Sequence, residues 1–360
     1  MSQLSPDLAP DLVFDGHNDV LFRLFKKRFP GVERDFLNGD GDGHLDLPRM
    51  REAGFGGGLF AVYVPSNDDI GRLDDLMKGA SYDVPLSPLI DASAAMPVAF
   101  AMIAILFRIQ SAAKGAFKVC RNGADIRQTM AAGAVAAVLH IEGAEAIDAN
   151  LDNLDILYQA GLRSLGPVWS RPTIFGHGVP FRYPSTGDTG PGLTDAGKAL
   201  VRACDQMGIA IDLSHMTEKG FWDVAKLSGK PLIASHSNAH AICPHARNLT
   251  DKQLDAVAGS GGIVGLNFAT SFLRPDGQRS VATPIEYMLR HLDHLIGRLG
   301  IEHVGLGSDF DGATIPEAIG DVTGLAALRG AMRKHGFDDA AIRKLCHENW
   351  VSVLERTWGG

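Results

Sequence analysis

GIAIDLSHMTEKGFWDVAKLSGKPLIASH, residues 208–236, holds two short apolar runs on either side of a segment with helical character. GIAIDL (208–213) and PLIAS (231–235) show no clean alternation of apolar and polar residues, the pattern of strands covered on both faces. TEKGFWDVAKLSG (217–229) reads as the helix between them. Strand, helix, strand in that order builds a parallel pair. Both strands run out into a histidine, His215 and His236.

Working outward, the same unit recurs. Apolar runs of strand character stand at 12–16, 57–64, 134–141, 162–169, 208–213, 231–235, 261–268 and 303–308, and most are followed by a helical segment such as 194–207 or 250–259. Thr250 with Gln253, and Thr283 with Glu286 behind Pro284, have capping-box spacing. Eight such units predict a (β/α)8 barrel. An open doubly wound sheet is the alternative, but no G-x-G-x-x-G turn follows the first strand. Two stretches exceed the repeat. Residues 65–131 predict a helical insertion after strand two, and the Gly- and Pro-rich segment 170–193 predicts a long loop after strand four. No linker or internal repeat divides the chain, so residues 1–360 are read as one domain.

Composition narrows the classes. Across 360 residues, 45% are hydrophobic and 21% charged, ample for a globular core. A formal charge of −8 with no Lys/Arg block argues against nucleic acid as a partner. MSQLSPDLAP at the start lacks a basic segment followed by an apolar one, so the reading expects no secretory signal. Met96–Phe107, the longest apolar run, is read as a buried helix too short to span a bilayer. The four cysteines share no C-x-x-C spacing, which disfavours thiolate metal sites and a disulfide framework and predicts the cytoplasm, without membrane association.

In such a barrel, chemistry sits where the strands end. His17 and Asp19 lie two residues apart at the end of strand one, so their side chains leave it together. Glu142 follows strand three, His215 strand five, His236 strand six, and Asp309 and Asp311 strand eight. Singly, each has an ordinary role: a neighbour of a helix cap, a packed core histidine, a turn-former. Together at five strand ends they form a donor set of imidazoles and carboxylates, the set a metal-dependent hydrolase needs.

DGHND, HIEGAEAI, DLSH, ASHSNAHAICPHARN and GLGSDFDG, in that order between Asp15 and Asp311, resemble the membrane (renal) dipeptidase family of zinc peptidases within the amidohydrolases. The resemblance implies two Zn²⁺ per chain, with His17 and Asp19 on one, His215 and His236 on the other, and Glu142 bridging. It implies Asp309 as general base and acid for a metal-activated hydroxide, and Arg247 as the grip on the C-terminal carboxylate of a dipeptide. Where some members have a histidine that contacts the substrate carbonyl, this sequence aligns Trp169, with His177 in the following loop as a possible substitute. Bacterial relatives make a C-terminal D-residue plausible. Other binuclear amidohydrolases, such as an N-acyl amino acid deacylase or a lactonase, and a non-catalytic binding barrel remain alternatives; a homo-oligomer stays open.

Overall fold

The computed structural model describes residues 8–9, 11–27, 30–66 and 72–359. Its centre is eight parallel strands: β1 (Val13–Asn18), β2 (Phe55–Tyr63), β3 (Val135–Glu142), β4 (Leu162–Gly166), β5 (Ala210–Ile211), β6 (Ile233–Ala234), β7 (Ile263–Asn267) and β8 (Val304–Gly307). Hydrogen-bonded neighbours run β5-β4-β3-β2-β1-β8-β7-β6. A parallel bridge between Asp212 and Ile233 brings the two ends together. The result is a nearly closed (β/α)8 barrel. Strands β5 and β6 are shorter than their apolar runs for a local reason. The backbone N–H groups of Ser214 and Ser235 donate to the Asp212 carboxylate instead of extending the ladder.

The helices begin where the sequence signals them. Thr194 and Thr217 accept hydrogen bonds from the backbone of Gly197 and Gly220, opening helices Asp195–Met207 and Glu218–Leu227. Thr250 and Gln253 form a capping box ahead of Asp251–Gly259. The box expected from Thr283 and Glu286 does not form. Helix Ile285–Leu299 has Pro284 itself as its N-cap, and the Thr283 hydroxyl donates to the Ser280 carbonyl instead.

The insertion after β2 is less purely helical than expected. Its described part holds helices Arg72–Leu76, Ala92–Ala112 and Gly123–Ala131, but also short strands Tyr82–Asp83 and Phe117–Val119. Phe117–Val119 adds to β3 in parallel, off the barrel path; residues 67–71 of the predicted insertion lie outside the described residues. Helix Ala92–Ala112 extends well beyond the apolar run, to 21 residues or about 31 Å. By length and composition it could cross a membrane, which corrects the reading of the run as too short. In this fold Ala95, Ala99, Met102, Ile103, Ile105, Leu106 and Ile109 are buried, and the helix packs against helices Val20–Lys27 and Val32–Asn38 and against β2.

Trp350, from the C-terminal helix, lies against the barrel strands and is fully buried, its Nε1–H donating to the Leu306 carbonyl at 2.8 Å. Gly16, Gly265 and Gly305, on three adjacent strands, make room for it; a Cβ at Gly16 or Gly305 would collide with the indole, and one at Gly265 would crowd it while striking the Ser235 carbonyl. The predicted loop 170–193 is present and mostly irregular. Its strand Arg182–Tyr183 pairs antiparallel with Tyr82–Asp83 of the insertion, while the Tyr82 hydroxyl donates to Gly277 and the Tyr183 hydroxyl to Pro275. Segments following β2, β4 and β7 are thereby tied together at one end of the barrel.

Candidate active site

Strand ends converge at that end. His17 is the fifth residue of β1 and Asp19 follows the strand; Glu142 closes β3. His215 and His236 come from the turns after β5 and β6. All five are buried. Among the described residues, His17, Asp19 and Glu142 form one group whose donor atoms lie within 4.8 Å of each other, and Glu142, His215 and His236 form another. A third such group joins His17, Asp212 and His236.

Glu142 belongs to both of the first two groups, with one oxygen turned to each. Its Oε1 is 3.1 Å from His215 Nε2 and 3.3 Å from His236 Nε2, and its Oε2 is 3.7 Å from His17 Nε2. Asp19 Oδ2 stands 3.3 Å from the same His17 nitrogen. The Nε2 atoms of His215 and His236 face each other at 3.1 Å. Behind them, His215 Nδ1 lies 2.8 Å from Ser170 Oγ and His236 Nδ1 2.7 Å from Ser235 Oγ.

The electrostatics favour a cation here. Burial pushes Glu142 well above the usual carboxylate range, with Asp19 and Asp309 adding to the rise and His17 opposing it. Asp309 is raised in the same way, by burial and then by Asp19, against the pull of His17. Burial works against a charged His17, but Glu142 and Asp19 outweigh it and lift the ring to about 10. Burial, followed by the positive charges of Arg247 and His17, holds His215 and His236 well below 6.5, so both stay neutral with a lone pair to give. Crowded carboxylates beside two neutral imidazoles are a donor set for divalent metal.

Asp309 follows β8 with a left-handed backbone (φ 60°). Its Oδ2 accepts from Asn267 Nδ2 at 3.0 Å. Gly312 lets it approach Asp19, because a Cβ there would strike both carboxylates. Asp311 also borders the cavity, but its carboxylate accepts from Arg23 Nε at 3.2 Å and from the His44 backbone at 2.6 Å.

A cavity of about 260 Å³ opens over these groups. Asp19, Glu142, His215 and Asp309 border it, and Phe22, Tyr63, Trp169, Phe181 and Phe272 supply apolar walls. Trp169 is part of the cavity wall. Its ring lies 4.9 Å from Tyr63, 5.5 Å from Phe181 and 5.7 Å from His215, centroid to centroid. His177 does not line the cavity, which corrects the expectation that it faces substrate. Bonds from Thr173 N–H to Gly176, Val179 N–H to His215 and Thr217 N–H to His177 itself fold that stretch back along the turn after β5. Arg247 lies beside the cavity rather than on its wall. Its guanidinium donates to the His236 carbonyl at 3.1 Å and sits 5.4 Å above the Phe272 ring, while its buried Nε has no partner.

Sequence reading missed several groups that build the site. In the sequence Asn267, Asp212 and Ser235 lie within strand runs and Ser170 in the loop after strand four, with no pattern that gives them a task. Asp15, though inside a recognised motif, was assigned no task. Its carboxylate accepts from the Ser308 backbone and hydroxyl, both at 2.7 Å, stitching β1 to β8 beneath His17 and Asp309. Burial raises it to about 7 even so. One signal was available: both ligand-like histidines at 215 and 236 follow a serine.

Comparison with known proteins agrees with this geometry. The membrane dipeptidase (peptidase family M19) model matches residues 7–358. A Klebsiella pneumoniae protein described as uncharacterized, in the pqqA 5′ region, is 46% identical over 71% of this chain and 94% of its own length. Dipeptidase tcpJ of Claviceps purpurea is 27% identical over 94% of this chain and 76% of its own. A metallo peptidase from Rhodobacter sphaeroides, solved with a phosphinate mimic of the dipeptide L-Ala-D-Ala, superimposes with a TM-score of 0.95 at 58% identity, covering 98% of this chain and all of that one. With the barrel, the metal-ready cluster and a family match over nearly its whole length, the chain belongs to the membrane dipeptidase family and is a metal-dependent dipeptidase.

Proposed function

We propose that the chain is a binuclear zinc enzyme cleaving dipeptides, including those with a C-terminal D-residue. The observation that carries this reading is the division of Glu142, with Oε1 toward His215 and His236 and Oε2 toward His17. His17 and Asp19 would hold one ion, His215 and His236 the other, and Glu142 would serve both. When bound, such ions make water acidic enough to act as a nucleophile near neutral pH and polarise the scissile carbonyl.

The rest belongs to the chain. Asp309 takes a proton from the attacking water on Oδ1, the oxygen that Asn267 leaves free, and returns it to the departing amine. Arg247, a buried cation with no carboxylate in ion-pair range among the described residues and a vacant Nε donor, offers charge-assisted hydrogen bonds to the substrate's terminal carboxylate. Tyr63, Trp169 and Phe181 wall the cleft against bulk water. The 58% identical relative solved with an L-Ala-D-Ala mimic supports an L-D dipeptide as substrate. Hydrolysis of an L-L and L-D dipeptide library by enzyme of measured metal content tests the proposal. Activity confined to N-acyl amino acids or lactones would refute it.

A further inference from the structure

We propose that Asp212 and Ser235 are positioning residues that set the tautomer of His236, keeping the proton on Nδ1 and the Nε2 lone pair toward the site. The inference rests on the reading of His236 as a metal ligand. It follows from counting protons. Ser235 Oγ lies 2.5 Å from Asp212 Oδ2 and 2.7 Å from His236 Nδ1. A hydroxyl has one proton, and a carboxylate only accepts. Ser235 therefore donates to Asp212, and the bond to His236 forms only if His236 Nδ1 carries a hydrogen and donates it. That leaves Nε2 bare, 3.3 Å from Glu142 Oε1 and 3.1 Å from His215 Nε2.

Proximity also groups Asp212 with His17 and His236 as a potential ligand, but its oxygens are engaged elsewhere. Oδ1 accepts the backbone N–H of Ser214 at 3.0 Å and of Ser235 at 2.8 Å, and Oδ2 accepts the Ser235 hydroxyl. His140 Nε2, 3.6 Å from Oδ2, is too distant to compete. Asp212 is 1% exposed, Ser235 and His140 fully buried, so bulk water does not break the chain.

The same bonds make one substitution diagnostic. In Asp212→Asn the amide oxygen must stay at the Oδ1 position, where two N–H groups need an acceptor. The NH₂ then faces Ser235 and donates to it. Ser235 then turns its proton to His236 Nδ1 at 2.7 Å, a far closer acceptor than its other neighbour, Ser214 Oγ at 3.5 Å, and the ring hydrogen moves to Nε2, pointing at Glu142. The shape is unchanged and the polarity of the chain is reversed. Ser235→Ala instead deletes the relay without imposing the wrong tautomer.

The test uses the full-length chain labelled with ¹⁵N-histidine, as purified with its metal and after chelation, with His236→Gln to assign the ring signals. Metal content and Zn²⁺ affinity by competition with a chelator are measured beside it. The expected result is an Nδ1–H ring for His236 in the wild type and an Nε2–H ring in Asp212→Asn. Zn²⁺ affinity should fall about 10–100-fold in Ser235→Ala and further in Asp212→Asn. A folded Asp212→Asn that keeps the Nδ1–H tautomer overturns the proposal, as does unchanged affinity in Ser235→Ala, which decides the matter alone if Asp212→Asn fails to fold. Full metal content in His236→Gln would refute the ligand reading instead, with the ring signals of the other variants still judging the chain.

Discussion

Replacing Asp309 by asparagine separates proton transfer from everything else the site does. Asn267 Oδ1 accepts the Ala269 N–H at 2.6 Å, so its NH₂ is the end that donates to Asp309 Oδ2 at 3.0 Å. In Asp309→Asn the new amide oxygen must occupy that position. Its NH₂ then stands at Oδ1, on the cavity side, with hydrogens to give and no lone pair to receive one. Volume is unchanged, and asparagine tolerates the left-handed backbone at φ 60° as well as aspartate does. Fold and metal content should therefore survive, while kcat falls about 10²–10⁴-fold, roughly 3–5 kcal/mol on the barrier. Steady-state kinetics on a dipeptide, beside elemental analysis of the same preparation, measure both. Near-normal turnover at full metal would refute Asp309 as the proton carrier. Metal lost in step with activity would make it a ligand.

Three further outcomes follow from the same geometry. Because Glu142 faces both donor groups, Glu142→Ala should lower metal content more than His215→Ala; two metals per chain retained in the Glu142 variant would end its bridging role. Arg247→Ala should raise KM, costing about 2–4 kcal/mol in kcat/KM, and C-terminally amidated dipeptides should be poor substrates of the wild type; equal turnover of amidated and free dipeptides would exclude the carboxylate grip. His291 is buried neutral, accepting from Ala239 N–H on Nδ1 and donating from Nε2 to Leu273, and burial lowers it to about 4. Its folded value lies below its unfolded one, so its contribution is complete above about pH 6.5 and is lost as pH falls toward 4, by roughly 3 kcal/mol. Urea unfolding of His291→Gln across that window should show a shallower acid slope than the wild type, and identical slopes would refute the assignment.

The barrel was legible because burial on both faces leaves its mark on composition. All eight strands fall on apolar runs, and the donors at their ends stand out because five strand ends carry them together. Trp350 was not legible as part of the barrel. Only the enclosed glycines at 16, 265 and 305 hint that something large fills that space, and glycine in a strand has many causes. The Thr283 signal failed because a box at that position competes with Pro284, which takes the cap itself. Helix Ala92–Ala112 outruns the apolar run because its flanks, Ala92–Ala95 and Arg108–Ala112, are mostly small or polar residues that are good or neutral helix formers without being a continuous apolar stretch.

The supporting residues were hidden for a different reason, and it bears on how such sites are read. Asp212, Ser235, Ser170 and Asn267 are all types that favour turns and strand ends on their own account, so their presence beside a ligand carries little information in one dimension. What distinguishes them is the direction of each hydrogen bond. Asn267 is fixed as a donor to Asp309 by the Ala269 N–H on its other side, and Ser235 is fixed as a donor to Asp212 because a carboxylate cannot give a proton. Each orients a group that must act in one protonation state. Arg247 shows the converse. Its motif resembles the family's substrate-gripping arginine, but only the folded chain reveals that it is buried against Phe272 and the His236 carbonyl with its Nε unpartnered. In the proposed role, a substrate carboxylate would come to a cation already desolvated, where Coulomb attraction is strong and lysine, lacking the planar fork, would not replace it.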